Sequence, residues 1–326
     1  MEEGSNLGER RVQICVYGAG SVGGYLAARL ARAGHEVSVV ARGPHLAAIQ
    51  ERGLTLHTLE DRFTVEVAAS EEPGELGRQD LVIVSAKHPA LPGIAQRIAP
   101  LLGPETPVAF AMNGVLWFTS DLPRLDPTGA IRRNIGVERS LGLIIESPNA
   151  VPEPGVVENT GKRNRFTLGE AMPGRSARAV KLHQALGGAG FELDLADDIR
   201  RPMWAKLSRN VSSAPVCILT GALSSQLVED PAIKGLMRAL TVEVLDVAAA
   251  LGFANLGIDP DASNARGNRP QHKPSMLQDL ERGRPMEIDA MLAAVQDLAR
   301  QTKVATPVLD VLLPVVAMKA KLAGLY

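Results

Sequence analysis

Val12-Gln13-Ile14-Cys15-Val16-Tyr17-Gly18-Ala19-Gly20-Ser21-Val22-Gly23-Gly24-Tyr25-Leu26-Ala27-Ala28-Arg29-Leu30 decides how the rest of the chain is read. An apolar run of strand length meets three glycines in G-x-G-x-x-G spacing, and small and apolar residues at helical spacing follow. In such a turn Gly18 permits the tight reversal, Gly20 lets a pyrophosphate approach the backbone, and Gly23 lets the helix lie close to its strand. Free N–H groups in the first helical turn, reinforced by the helix dipole, attract that anion. The spacing alone also fits an ordinary glycine-rich turn. Its context, with a strand before, a helix after and a second strand from His35 to Val40 at βαβ distance, points instead to a dinucleotide site formed by Gly18, Ala19, Gly20, Ser21, Val22 and Gly23.

Outward from this stretch the pattern is that of a doubly wound sheet. Glu36 to Ala41 reads as the second strand, and Arg42 stands just past its end. A site that prefers the unphosphorylated dinucleotide usually carries Asp or Glu there, for the ribose 2′-OH. Here the Arg42-Gly43-Pro44-His45 turn offers a guanidinium fork suited to a 2′-phosphate, so the cofactor expected is of the NADP type. Pro44 to Arg52 reads as a helix closed by Gly53, and Leu54 to His57 and Phe63 to Val67 as short strands. Asp80 to Ala86 has the apolar run of a strand buried on both faces. Lys87 follows at the carboxyl edge, where ligands of such sheets bind; the plain alternative is a solvated loop lysine. Ile94 to Leu102 reads as a helix, and Pro107 to Met112 as a strand ending in Asn113-Gly114. That is a common turn dipeptide, but its Asn can also hydrogen-bond a substrate or ribose. Between Ser140 and Gly169, short β-like runs alternate with turns (Asn149 to Pro154 and Glu158 to Asn164) and suggest added antiparallel strands. Arg175 to Leu186 then reads as helical and Phe191 to Leu195 as a last strand.

Near Asp197 the texture changes. Ile199 to Ala214, Pro231 to Leu251, Pro274 to Glu281, Pro285 to Lys303 and Pro307 to Leu322 carry helical periodicity, with proline near several starts. The expected fold is therefore α/β: an N-terminal Rossmann-type dinucleotide-binding domain over 1–197 and a mostly α-helical C-terminal domain over 198–326. Asp259 to His272 reads as a polar surface loop.

Composition narrows the function class. The 326 residues are 45% hydrophobic and 22% charged, the balance of an ordinary globular protein. A formal charge of −1 gives no general electrostatic reason to bind nucleic acid or an anionic membrane, and 3% aromatics leaves little for base stacking. Cys15 and Cys217 lie in apolar stretches and read as buried thiols of a reducing compartment. Met1 to Arg11 lacks the apolar core of a signal peptide, and no apolar run reaches the ~18 residues of a membrane span. A cytoplasmic protein is expected, with no metal site.

In the helical half, Lys206 and Asn210 of Met203-Trp204-Ala205-Lys206-Leu207-Ser208-Arg209-Asn210 are four apart and share a helical face. A lysine beside a nicotinamide can protonate the oxygen of a carbonyl that receives hydride. Lys273-Pro274-Ser275-Met276-Leu277-Gln278-Asp279 and Gly283-Arg284-Pro285-Met286-Glu287-Ile288-Asp289 also stand out, Glu287 at a helix start. Singly these are ordinary: helices carry Lys and Asn on wet faces, and the dipole favours Glu in a first turn.

Together, in this order and over nearly the whole chain, the pieces resemble the ketopantoate reductase (2-dehydropantoate 2-reductase) family. The matching residues are Gly18 to Gly23, Arg42, Lys87, Asn113-Gly114, Trp204 to Leu207 with Asn210, Ser275 to Asp279, and Gly283 to Pro285 with Glu287 to Asp289. The resemblance implies NADPH-dependent reduction of a 2-oxo acid, ketopantoate to pantoate first, in pantothenate synthesis. It also implies Lys206 as general acid, Asn210 and Ser275 as holders of substrate, and Glu287 as the group that holds the lysine and the substrate hydroxyl. Asn113 would lie by the nicotinamide ribose and the substrate, and the chain would pair as a homodimer.

Two positions depart from the family pattern. Ala214 stands where a second Asn is frequent one turn after Asn210, and Val115-Leu116-Trp117-Phe118 is bulkier than the small polar residues common there. These departures admit another branched or aryl 2-oxo or 3-oxo acid as substrate. A reading of another class is a non-catalytic sensor of NADP(H). The joint presence of Lys206, Glu287 and Ser275 argues against it, since sensing needs no proton donor.

Overall fold

The computed structural model describes residues 11–265 and 273–326. The N-terminal expectation for Met1 to Arg11 lies outside the described residues except at Arg11, and that for the 259–272 loop does so over 266–272.

The first strand, β1 (Gln13–Tyr17), is buried at every position but its first, as a strand covered on both faces must be. After it come α1 (Ser21–Arg32), β2 (Glu36–Val40), α2 (Gly43–Arg52), β3 (Leu54–His57), β4 (Arg62–Val65) and β5 (Ala68–Ser70). Then follow β6 (Leu81–Val84), α3 (Leu91–Arg97), β7 (Val108–Phe110), α4 (Ala130–Asn134), β8 (Ser140–Glu146), β9 (Asn149–Glu153) and β10 (Val156–Asn159). β11 (Arg165–Glu170), α5 (Ala177–Leu186) and β12 (Glu192–Leu195) complete this part of the chain. The main sheet has the order β12-β11-β8-β7-β6-β1-β2-β5. β5-β2-β1-β6-β7-β8 is the Rossmann order, all parallel, with the reversal of strand order falling between β1 and β6. The carboxyl ends of β1, β2 and β6 therefore open on one edge, and Gly18, Arg42 and Lys87 follow them within one to three residues.

The expectation of added antiparallel strands needs dividing. β11 pairs antiparallel with β8 in the main sheet, and β12 runs parallel to β11. Asn149 to Pro154, read as a turn, is for the most part strand β9; β9 and β10 leave the main sheet and form a second one, β4-β3-β10-β9, in which β10 is parallel to β3. Alternating apolar and polar residues mark a half-buried strand but do not choose its partner. Here α1 chooses: it packs against β3 and β10 as well as β1 and β2, burying Leu54, Leu56 and Val157. The helix read over Ile94 to Leu102 is α3 followed by a 3₁₀ turn, Ala99–Leu101, because Pro100 has no N–H to continue the α ladder.

The remaining helices are α6 (Arg200–Thr220), α7 (Ser224–Leu227), α8 (Pro231–Ala250), α9 (Pro260–Ser263) and α10 (Ser275–Glu281). A π-helical turn, Asp289–Ala293, leads into α11 (Ala294–Thr302), and α12 (Pro307–Leu322) is last. α6 runs six residues past Ala214, through Pro215. Every residue from Val211 to Ile218 is buried, and packing against α8 outweighs the hydrogen bond that the proline removes. The helix read from Pro285 begins later, at 288, and the Met286 N–H before it donates instead to the Leu325 carbonyl (3.1 Å). Part of the loop read over Asp259 to His272 is α9, capped by Asp259, whose carboxylate accepts from the Asp261 N–H (2.9 Å).

Two compact units result: Met1–Met112 with Thr128–Ile199, and Asn113–Pro127 with Arg200–Tyr326. The segment 113–127 goes with the helices although it lies far upstream of 197/198, where the sequence texture changes. Among the described residues no helix is long and apolar enough to cross a membrane. Both cysteines are buried thiols, and burial pushes that of Cys15 up to about 12, leaving it protonated and inert at neutral pH.

Candidate active site

In the sheet unit the glycine turn takes the form its spacing implies. Gly18 has φ +101° and its N–H donates to the Val40 carbonyl (2.9 Å), tying the turn to the end of β2. Gly23 is fixed by contact: a Cβ there would lie 2.0 Å from the Gly18 carbonyl oxygen and 2.1 Å from Ser85 Oγ. Ser85 in turn donates to that same Gly18 oxygen at 2.6 Å, closing the turn against the end of β6. A Cβ on Gly20, by contrast, would meet nothing within 4 Å, so the backbone that begins α1 faces open space there. Ala19 is buried, and Ser21 and Val22 are half-buried in the first turn. α1 has no acidic residue in that turn and carries Arg29 and Arg32 in its last, the arrangement that leaves its positive end to an external anion.

Arg42 occupies the N-cap position of α2 and is exposed. Lys87 is half-buried and begins the 3₁₀ turn His88–Ala90. His45, in the first turn of α2, reaches the Ala19 carbonyl with Nε2 at 2.7 Å. Its importance is invisible in the sequence, since the contact joins residues 26 apart.

In the helical unit the decisive contact is between Lys206 and Asn113. Lys206 Nζ donates to Asn113 Oδ1 at 2.6 Å, across 93 positions of sequence. Both side chains are half-buried, as is Asn210 one turn further along α6. Met203, Trp204 and Leu207 face the core instead, so the Trp-Ala-Lys-Leu stretch serves packing on one side and polar chemistry on the other.

Asn113 is brought to the lysine by the way segment 113–127 is fastened to the helices. The Val115 N–H donates to the Ala290 carbonyl in the π-helical turn (2.8 Å), and the Leu116 N–H to Met203 Sδ (3.4 Å). Gly114 has φ +85° and a Cβ there would sit 2.5 Å from the Ala290 oxygen, so only glycine fits. Arg124 pairs with Asp297 (2.7 Å) and Asp289 (3.1 Å), and the Tyr326 hydroxyl also donates to Asp289 (2.8 Å). Burial, with the Asp289 carboxylate adding to it and Arg124 opposing it, pushes the Tyr326 hydroxyl up to about 12. Trp117 and Phe118 are buried, their rings edge to face at 5.6 Å, so the bulky residues after Asn113-Gly114 anchor the segment in this unit's core.

Glu287 is buried at 6% exposure two residues before the π-helical turn, and its carbonyl accepts from the Met291 N–H (3.0 Å). Ser275 begins α10 and is exposed. Ala214 is buried on α6, two turns beyond Lys206. Arg124 and Ser85 went unread in the sequence as parts of either half-site, and Asp289 was noticed only within its motif. Each acts on a partner far along the chain, and no local spacing announces such a partner.

Known proteins resemble the chain over nearly its whole length. The family described as Ketopantoate reductase PanE/ApbA matches residues 14–173, and its C-terminal counterpart matches residues 198–320. A 2-dehydropantoate 2-reductase of Mesorhizobium japonicum is 39% identical, over 97% of this chain and 100% of its own. A crystal structure from Ralstonia solanacearum MolK2, assigned as a ketopantoate reductase, superposes with a TM-score of 0.90 at 37% identity. It covers 97% of this chain and 100% of that one. The D-mandelate dehydrogenase solved with NADH and anilino(oxo)acetate shares the fold, with a TM-score of 0.83 at 22% identity over 96% and 99% of the two chains. The chain thus belongs to the ketopantoate reductase PanE/ApbA family and is an oxidoreductase acting on a ketone/alcohol pair.

Proposed function

We propose that the chain reduces 2-dehydropantoate (ketopantoate) to pantoate with NADPH, in pantothenate biosynthesis. The observation that carries the reading is the 2.6 Å hydrogen bond from Lys206 to Asn113, which brings together two of the residues expected at the site. The dinucleotide would be held by the turn Gly18 to Gly23, where open space at Gly20 and the uncrowded start of α1 suit a pyrophosphate. Arg42, exposed where a carboxylate would favour a bare ribose, supports the 2′-phosphate, with Lys87 as a further cation at the same edge. Bound NADPH supplies the hydride.

The chain's own part is to place and protonate the substrate. Lys206, as the ammonium, gives a proton to the carbonyl oxygen as negative charge grows on it. Asn113 accepts one of the three ammonium N–H groups and so directs the other two. Glu287, a buried carboxylate, would hold the lysine charged and accept from the new hydroxyl, while Asn210 and Ser275 hold the remaining polar groups of the substrate. Assembly as a homodimer and residence in the cytoplasm belong to the same proposal.

The test is the oxidation of NADPH, with NADH beside it, against a panel of branched and aryl 2-oxo acids that includes ketopantoate. Fastest turnover with ketopantoate and NADPH is the expected result. Faster turnover of an aryl 2-oxo acid would move the substrate, and binding of NADPH without turnover of any acid would remove the enzymatic reading.

A further inference from the structure

The imidazole of His45 joins two backbone groups of the sheet unit. Its Nε2 lies 2.7 Å from the Ala19 carbonyl oxygen, and its Nδ1 lies 3.0 Å from the Gly155 amide nitrogen. A backbone N–H can only donate, so Nδ1 accepts and Nε2 carries the proton that goes to Ala19. A neutral ring meets both demands. Burial holds His45 below the ordinary histidine range, opposed by the Ala19 hydrogen bond.

The contact with Ala19 has a geometric effect on the next residue. The Ala19–Gly20 peptide is planar and trans, so the direction of the carbonyl fixes the opposite direction for the Gly20 N–H. With the carbonyl turned to His45, that N–H points away from the ring. Gly20 is also the exposed position whose Cβ side is open for at least 4 Å.

We infer that His45 is a positioning residue for dinucleotide binding, holding the Ala19 carbonyl so that the Gly20 N–H and the first turn of α1 are aimed at the pyrophosphate. The inference rests on reading this turn as the dinucleotide site. Because the pyrophosphate is common to NADPH and NADH, His45 governs affinity for both and leaves the preference between them to Arg42. The bond to Gly155 has a separate, structural task. It holds the turn between β9 and β10 on α2, where a Cβ on Gly155 would come within 3.0 Å of Ala48 Cβ.

Two substitutions separate the two bonds. His45→Gln places an amide donor near the position of Nε2 and keeps the Ala19 contact, whereas His45→Asn places an acceptor near Nδ1 and keeps only Gly155. Dissociation constants for NADPH and NADH are read from nicotinamide fluorescence, with thermal unfolding of each variant alongside. His45→Asn is expected to weaken both dinucleotides equally, by roughly 5- to 10-fold for one lost hydrogen bond. His45→Gln should stay within about twofold of the unsubstituted protein. Equal weakening by Asn and Gln, unchanged affinity in the Asn variant whatever its melting temperature, or weakening of NADPH alone would each overturn the inference. Failure of the unsubstituted protein to bind either dinucleotide would sink the site reading itself, and the role of His45 with it.

Discussion

The glycine turn of the sheet unit and the Lys206–Asn113 pair of the helical unit reach their precision by opposite routes. The turn is made of backbone: Gly23 is fixed by a carbonyl 2.0 Å from where its Cβ would be, and Gly18 by a hydrogen bond to the neighbouring strand. The pair is made of two long or polar side chains 93 residues apart, held together by the fastening of segment 113–127 to the π-helical turn. A backbone-built site tolerates changes in most side chains but not the loss of a glycine. A side-chain-built site keeps its fold under substitution and loses its chemistry. Each variant below is chosen to strain that contrast.

The largest effect is expected at the side-chain site. Lys206→Ala should lower kcat by something like 10²–10⁴, the usual span for general acid–base catalysis, while the NADPH dissociation constant stays near that of the unsubstituted protein. Near-normal turnover would break the contrast by taking Lys206 out of the chemistry. Gly23→Ala tests the opposite prediction. Overpacking typically costs ~1–3 kcal/mol, and a methyl group driven against the Gly18 carbonyl belongs at or above the top of that range. Urea unfolding should show the loss together with failure to bind dinucleotide, and an alanine accepted without change in either would contradict the close approach.

The contrast also explains what could be read in advance. The strand, turn and helix from Gln13 to Arg32 are legible because the apolar run, the glycine spacing and the helical periodicity are all local. α12 falls on Pro307–Leu322, as read, because proline suits a first helical turn and the apolar period persists to the end. Local signals say nothing of which strand pairs with which, so β10 went to β3 unannounced. They misjudge α6 at Pro215, where a buried helix overrides propensity. Lys206, Asn210, Ser275 and Glu287 were proposed for the site through likeness to a family, since their spacing alone is ordinary. The fastening by Arg124 and Ala290 had no sequence signal, and Asp289 was read only as part of a motif, without its partner: the pairing is a product of the tertiary fold.

A smaller effect is expected at Arg42. On the proposed reading Arg42→Asp removes a charge-assisted phosphate contact of ~1.5–3 kcal/mol, so NADPH should bind roughly ten- to a hundredfold more weakly and the gap to NADH should narrow. An unchanged ratio of the two dissociation constants would mean that the 2′-phosphate is read elsewhere. The smallest change concerns the pocket wall. α6 continues through position 214, which places Ala214 one turn beyond Asn210 and two beyond Lys206. If that face carries substrate, Ala214→Asn restores a donor and an acceptor and should shift the specificity ratio toward ketopantoate over a bulkier 2-oxo acid. The same ratio across the panel would mean that position 214 does not face substrate.

The most direct test of the account counts product. The protein, NADPH and ketopantoate are mixed, and pantoate formed is compared with NADPH consumed. The account predicts that they match mole for mole, and that the reaction depends on Lys206. No consumption of NADPH, or consumption that yields no pantoate, would contradict it.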